Sequence, residues 1–329
     1  MLRTVPRTSA SFPRRTAAVL ATTLVLTGAC GSGGSSAGPA PGSPDKVKVG
    51  VIAVVDVAPI YLGKQKGFFS RRNIDLALQN GSGGAITIAG VVSGQMQFGF
   101  ANVTSLLVAR DQGLPLKVVA NGNSSTGVSG KDFSGVVVKP DSPIASARDL
   151  SGRSVSVNNL KNIGDTTIRA SVRKAGGDPG TVKFVELAFP DAPAAVAGGR
   201  VDAAWVVEPF LTAALDKGLR VACWNMVEAA PNLTVATYFT TDKVSTDNPD
   251  LVRRFREAMN ESLAYAQAHP DEARAVLATY TQISDAVRAK MTLPGWSTDI
   301  DRASIAQLAG LVLGDGLIQK PADLNALLP

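Results

Sequence analysis

The chain has 329 residues, of which 45% are hydrophobic and 18% are charged, a composition typical of a globular protein rather than a disordered or multi-span membrane protein. Its one His and two Cys are too few for a disulfide scaffold, a zinc-finger array or a catalytic site built on several imidazoles. The formal net charge of +6 raises the question of nucleic-acid binding.

Residues 1–29 are typical of an export signal peptide. They carry four Arg and no acidic residue, and an apolar segment from Ala17 to Ala29 ends in small residues before Cys30. This segment is shorter than the roughly 20 residues that a helix needs to cross a bilayer. Without residues 1–29 the chain has 29 Lys and Arg against 27 Asp and Glu, a net charge of +2, so the argument for nucleic acid disappears.

The segment from Leu26 to Cys30 resembles a bacterial lipoprotein processing box, which predicts a lipidated Cys30 at the start of a tether over residues 30–45. Leu26 stands four residues before Cys30, where the family usually has it three before. Of the 14 residues after Cys30, 12 are Gly, Ser or Pro, so this stretch is predicted to be a flexible chain. The alternative is ordinary signal cleavage beside a chance Cys. The pair Arg14 and Arg15 leaves Sec and twin-Arg export both open.

Strands alternate with helices from Lys46 onward. The hydrophobic pattern predicts strands over 46–52, 74–78, 98–100 and 116–120, and helices over 59–69, 87–93 and 104–111. This alternation indicates an α/β fold with parallel sheets covered by helices. From Asn248 the pattern is helical, over 249–268, 270–280, 284–291 and 301–313. These last helices are predicted to pack on an existing α/β unit.

An internal repeat divides the α/β part into two similar units. Residues 91–100 align without a gap to residues 196–205, at an offset of 105, and residues 46–51 align to residues 152–157, at an offset of 106. In both copies, small residues break a helix before a short apolar strand begins. The repeat predicts two α/β lobes in tandem.

Six segments resemble bacterial ABC-transporter solute-binding proteins of the nitrate, sulfonate and taurine group, which also includes binders of thiamine-pyrimidine precursors. They are residues 58–69, 73–76, 93–100, 113–120, 142–155 and 199–209. One departure is Gln97, where the family commonly has Asp, as the second copy does at Asp202.

The resemblance implies a bilobal periplasmic-binding-protein fold, type II-like, with two crossover segments as hinges. Lobe 1 would comprise residues 46–129 and 226–329, with the C-terminal helices packed on it, and lobe 2 would comprise residues 130–225. Such proteins close on a solute and deliver it to the permease and ATPase subunits of an ABC importer. The implied protein is a monomer, exported, held at the outer face of the cell membrane by the lipid alone, and neither an enzyme nor dependent on a cofactor or metal.

The candidate ligand contacts follow from a general rule for open α/β sheets. Ligands bind beyond the carboxyl ends of the strands, where helix N-termini present free N–H groups. The positions that this rule selects are Asp56, Val57, Ser82, Gly83, Gly84, Asn102, Thr104, Asn123, Asn158, Lys161, Asp165, Phe189 and Glu208.

Several of these residues have structural alternatives. Asn102 and Asp165 are equally suited to capping helices, Glu208 to fixing a hinge, and Phe189 to packing in a core. Lys161 is the one clear cation in the set. The resemblance favours a sulfonate-, nitrate- or taurine-type solute, whereas the carboxylates suit an amine or a pyrimidine better.

Two other functional classes stay open. One is an enzyme on the same bilobal fold, and the other is a module that presents its ligand to a membrane sensor. The export signal and the lack of a His or Cys constellation near the cleft loops argue against the enzyme.

Overall fold

Ten strands form two five-stranded sheets in the computed structural model, which describes residues 43–329. The predicted signal peptide, Cys30 and nearly all of the tether lie outside the described residues. The strands are β1 (Asp45–Ile52), β2 (Ile74–Gly81), β3 (Phe98–Asn102), β4 (Leu116–Ser124), β5 (Ser134–Val138), β6 (Ser154–Val157), β7 (Lys183–Glu186), β8 (Ala203–Val207), β9 (Arg220–Cys223) and β10 (Thr234–Thr241).

Thirteen α-helices accompany these strands within residues 43–329. They are α1 (Ala58–Gln65), α2 (Gly84–Val92), α3 (Val103–Asp111), α4 (Ile163–Lys174), α5 (Ala192–Ala197), α6 (Phe210–Asp216), α7 (Asn225–Ala229), α8 (Asp242–Asp247), α9 (Pro249–Ala268), α10 (Pro270–Val276), α11 (Asp285–Lys290), α12 (Arg302–Gly314) and α13 (Leu324–Leu327). None of them is both long and apolar enough to cross a membrane. Helix α1 ends earlier than predicted because Gly67 has a φ of 78°, which an α-helix cannot continue.

The two sheets have the same internal order, which confirms the predicted repeat. The order is β2-β1-β3-β10-β4 in lobe 1 and β7-β6-β8-β5-β9 in lobe 2. The equivalent strands β3 and β8 begin at Phe98 and Ala203, at the offset found in the sequence.

The sheets are mixed, so the prediction of parallel sheets is wrong for one strand in each. Strand β10 runs antiparallel to β3 and β4, and β5 runs antiparallel to β8 and β9. Each of these strands is the first that the chain forms after passing from the other lobe. It enters its sheet at the end where the neighbouring strands finish, and it therefore runs in the opposite direction.

Helix α9 packs on the lobe 1 sheet through an aromatic cluster, as predicted for the C-terminal helices. The ring of Phe255 stacks on that of Phe98 with centroids 3.9 Å apart, and it also contacts Phe69 and Tyr238. All four rings are buried, so they join the helix to the sheet through apolar contact.

The chain passes between the two sheets twice. The first connection joins β4 to β5 and the second joins β9 to β10. The boundaries predicted from the sequence, at residues 129/130 and 225/226, fall within these connections and stay a prediction.

Candidate functional site

A cavity with a volume of about 530 Å³ opens between the lobes. We call it the outer chamber. Its lining comes from lobe 1, from lobe 2 and from the loop between α10 and α11: Ile52, Ala53, Val54, Gly81, Ser82, Ala188, Phe189, Pro190, Phe210, Tyr280, Thr281, Gln282 and Ile283. Most of these side chains are aliphatic or aromatic, so the chamber suits an apolar body.

A second, much smaller cavity of about 30 Å³ adjoins the outer chamber and shares Ile52, Val54 and Phe189 with it. We call it the deep chamber. Its polar or amphipathic lining residues are Asp56, Asn102, Asn158 and Trp205. Within the described part of the chain, no Lys or Arg lines either chamber.

Asp56 is the one ionisable residue that the described chain contributes to the deep chamber lining, and it lies four residues after the end of strand β1. Its Oδ1 accepts a hydrogen bond from Asn123 Nδ2 at 3.0 Å, while its Oδ2 is buried without a donor among the described residues. Burial raises the pKa of this carboxyl from 3.8 to about 7. Asp56 is therefore an acceptor whose charge changes near neutral pH.

Asn158, in the loop after β6, connects the two lobes across the cleft. Its Nδ2 donates to the Ser82 carbonyl at 3.4 Å, and its Oδ1 accepts from Asn162 Nδ2 at 2.7 Å. Asn162 in turn accepts from the Gly164 amide at the start of α4, so the capping residue of that helix also fixes Asn158.

The turn before α2 lies against the same loop of lobe 2. A Cβ on Gly83 would come within 1.8 Å of Asn159 Oδ1, so only glycine allows the lobes to approach this closely. Gly83 thus belongs to the contact between the lobes and does not line either chamber.

Glu208 lies beside the chambers and is fully engaged by protein groups. Its carboxylate accepts from the Thr212 amide and hydroxyl, at 3.0 and 2.7 Å, and from the Thr292 amide at 3.2 Å. Its backbone carbonyl accepts from the Val55 amide at 3.0 Å. Because Thr212 belongs to α6 of lobe 2 and Thr292 to the C-terminal part, the Glu208 carboxylate joins these two parts of the structure.

Lys161 and Asp165 do not line either chamber. Lys161 is exposed and borders a separate groove over α2 and α3. Asp165 lies in the first turn of α4, where its Oδ2 accepts from the Lys161 amide at 2.8 Å. Burial raises the pKa of Asp165 to about 6. The cation in the predicted set is therefore unavailable to a solute in these two chambers.

The remaining predicted residues divide between the cleft and the interior. Asn102 lines the deep chamber and also caps α3, since its Oδ1 accepts from the Ser105 amide at 2.9 Å. Three others, Val57, Gly84 and Thr104, are buried and line neither chamber.

The sequence prediction missed the loop from Tyr280 to Ile283 and the indole of Trp205. Tyr280 stacks on Tyr61 with ring centroids 3.9 Å apart and donates to the Val54 carbonyl at 3.1 Å. Trp205 contacts Phe189 edge-on and donates to Ser134 Oγ at 2.7 Å. The aromatic Tyr280, at the end of the helix predicted over 270–280, was the only local signal for this loop.

A protein-family model described as NMT1/THI5 like matches residues 54–273 of the chain. The riboflavin-binding protein RibY of Chloroflexus aurantiacus is 27% identical over 251 residues, which cover 72% of this chain and 68% of that protein. The 4-amino-5-hydroxymethyl-2-methylpyrimidine phosphate synthase of Candida albicans is 24% identical over 247 residues. That match covers 65% of each protein, so the chain spans slightly less than two thirds of the synthase.

The fold has close counterparts among solved structures. The alkanesulfonate-binding protein SsuA of Xanthomonas axonopodis pv. citri, bound to MOPS, superposes with a TM-score of 0.73 at 19% identity. The superposition covers 87% of this chain and 99% of that chain. This likeness confirms the predicted bilobal fold of the periplasmic-binding-protein type.

Proposed function

The chain belongs to the NMT1/THI5-like family, and from this premise we propose that it is an extracytoplasmic receptor that binds a small organic solute for an ABC importer. The observation that carries the proposal is the outer chamber, because both lobes contribute to its lining. A solute held there contacts both lobes at once and favours the closed arrangement, which the permease and ATPase subunits then recognise.

The lining of the chambers favours an uncharged solute with an aromatic or aliphatic body. A sulfonate or nitrate, the type that the sequence resemblance favoured, would face the Asp56 carboxyl with no Lys or Arg in the described lining to balance its charge. The rings of Phe189, Phe210 and Tyr280 instead offer flat apolar surfaces. The pyrimidine-type alternative therefore replaces the sulfonate as the proposed solute class.

Isothermal titration of the purified chain tests both parts of this proposal. We expect one reversible site per chain for riboflavin or for 4-amino-5-hydroxymethyl-2-methylpyrimidine, and no measurable heat for butanesulfonate. The ring compounds replace water in a largely apolar chamber, whereas the sulfonate loses its hydration without gaining a counter-charge.

The contradicting outcomes separate the two parts. Binding of butanesulfonate alone would overturn the solute class and leave the receptor function standing. Chemical conversion of a bound ring compound, detected by mass spectrometry of the recovered solute, would overturn the receptor function in favour of the enzyme alternative.

We also propose that Cys30 is lipidated and that the lipid is the membrane anchor of a monomeric receptor. Replacing Cys30 with Ala is expected to move the protein from the membrane fraction to the soluble extracytoplasmic fraction, because the apolar anchor is lost. Fractionation followed by immunoblotting measures this, with Cys223→Ala as the matched control because Cys223 is a buried free thiol. A Cys30→Ala protein that stays with the membrane would contradict the anchor.

A further inference from the structure

Buried hydrogen-bond acceptors lie at the deep chamber, and a solute that makes only apolar contacts would leave them without donors. Asp56 Oδ2 is buried and has no donor among the described residues, and the Oδ1 of the neighbouring Asn123 is in the same condition. The Asp56 side chain is fixed by its bond from Asn123 Nδ2, so its second oxygen has a defined position. Buried acceptors without donors are costly, and a native structure that keeps them usually satisfies them with water or a ligand.

The other side-chain acceptors of this chamber and the indole N–H of Trp205 are already engaged. Asn102 Oδ1 caps α3, Asn158 Oδ1 accepts from Asn162, and the Trp205 indole N–H donates to Ser134. Within residues 43–329, the side-chain acceptor left open in the lining is thus the Asp56 oxygen, which when ionised has no proton to donate.

The size of the chamber limits what reaches this oxygen. Its volume is about 30 Å³, and a cavity of roughly 10–15 Å³ is enough for one water molecule, so the chamber holds only a few atoms. A small polar group fits such a space, whereas an aromatic ring is too large for it. The bulk of a solute must lie in the adjoining outer chamber, which shares Ile52, Val54 and Phe189 with the deep one.

We propose that the deep chamber receives one amino or ring N–H group of the solute, which donates its hydrogen bond to Asp56 Oδ2, while the solute ring lies in the outer chamber. This inference rests on the proposed function and makes Asp56 the residue that selects among ring-shaped solutes. A solute without the donor leaves the buried carboxyl without a hydrogen-bond partner, which costs binding free energy. The protein therefore discriminates against such solutes.

A cycle that removes the donor and the acceptor separately tests the pairing. The probes are 4-amino-5-hydroxymethyl-2-methylpyrimidine and its analogue with hydrogen in place of the amino group, titrated at pH 8 into the full chain and its Asp56→Asn variant. Removing either partner is expected to weaken binding roughly 10- to 100-fold, the range for a hydrogen bond to a charged group. Removing both the donor and the acceptor is expected to weaken binding only slightly more than removing one of them.

Two further variants make the result decisive. Asp56→Ala removes the acceptor whatever position the Asn123 amide adopts, and it is expected to weaken binding of the amino probe over the same range. Asp75→Asn, which changes an exposed carboxylate on β2, is expected to bind like the unmodified chain. Thermal unfolding of each variant at pH 5 checks that the fold is retained.

Wild-type affinity of both Asp56 variants for the amino probe would overturn the inference and leave the receptor function intact. Losses that multiply in the cycle would also overturn it, because they show that donor and acceptor act separately. Chemical conversion of the probe would instead overturn the proposed function.

Discussion

Replacing Glu208 with Ala is expected to lower the free energy of unfolding by about 4 kcal/mol. The substitution leaves the Thr212 amide, the Thr212 hydroxyl and the Thr292 amide without their acceptor, and each unpaired buried donor costs about 1–3 kcal/mol. Water that enters the vacated space satisfies some of these donors, so the total loss of stability is smaller than three times the upper limit for one donor. Denaturant unfolding followed by far-UV circular dichroism measures the change.

Two variants test whether the lost stability comes from these hydrogen bonds. Glu208→Gln keeps one acceptor oxygen and is expected to lose about half as much stability. Glu186→Ala removes an exposed carboxylate of β7 that accepts one bond, from the Leu160 amide at 3.0 Å, and should cost at most about 1 kcal/mol. A Glu208→Ala protein with unchanged stability but lost solute binding would identify Glu208 as a ligand contact and contradict a structural role for its three hydrogen bonds.

Lowering the pH from 8 to 5 is expected to stabilise the ligand-free protein by roughly 3 kcal/mol through Asp56 alone. The pKa of this carboxyl is about 7 in the folded protein against 3.8 when unperturbed, so the folded state binds the proton more tightly. The destabilisation therefore develops as the pH rises from about 4 to about 7 and is complete above that. Asp165, with a pKa raised to about 6, acts in the same direction.

Carboxyls whose pKa is lowered by hydrogen bonds, such as Asp149 and Asp250, titrate below this pH range in both states and do not oppose the trend. Unfolding midpoints of the unmodified chain and of Asp56→Asn, measured across the range, isolate the contribution of Asp56. The Asn variant is expected to lose the contribution of Asp56, roughly 3 kcal/mol, and to keep that of Asp165, whereas Asp75→Asn is expected to retain the whole pH dependence. Equal pH dependence in Asp56→Asn and the unmodified chain would contradict the assignment.

Much of the fold follows from local pattern. The alternating and apolar runs that form β1 to β4 and the helical spacing of Leu251, Phe255, Met259 and Leu263 depend only on neighbouring residues. The repeat adds a long-range inference, because two similar segments adopt similar sheets. The direction of β5 and β10 depends instead on where the chain re-enters each sheet. The local hydrophobic pattern of the sequence contains no information about that position.

The candidate site divides in the same way. Ser82 and Asn158 follow strands directly, Asn102 ends β3, and Asp56 lies four residues after the end of β1. The rule for strand ends therefore places all four at the cleft. Tyr280 reaches the cleft only because the C-terminal helices pack on lobe 1, and this tertiary placement leaves no pattern in the sequence.

The strands of the two sheets come from different stretches of the chain, and this has a consequence for how the protein folds during its synthesis. All five strands of the lobe 2 sheet lie between Ser134 and Cys223, whereas the lobe 1 sheet needs β10, which begins at Thr234. Strand β10 pairs with β3, more than 130 residues earlier in the chain, so its closure is a slow, non-local step. During synthesis or translocation, lobe 2 can fold as soon as its own segment has emerged. Lobe 1 must wait, with the edges of β3 and β4 open, so the two lobes are expected to complete their folding at different times.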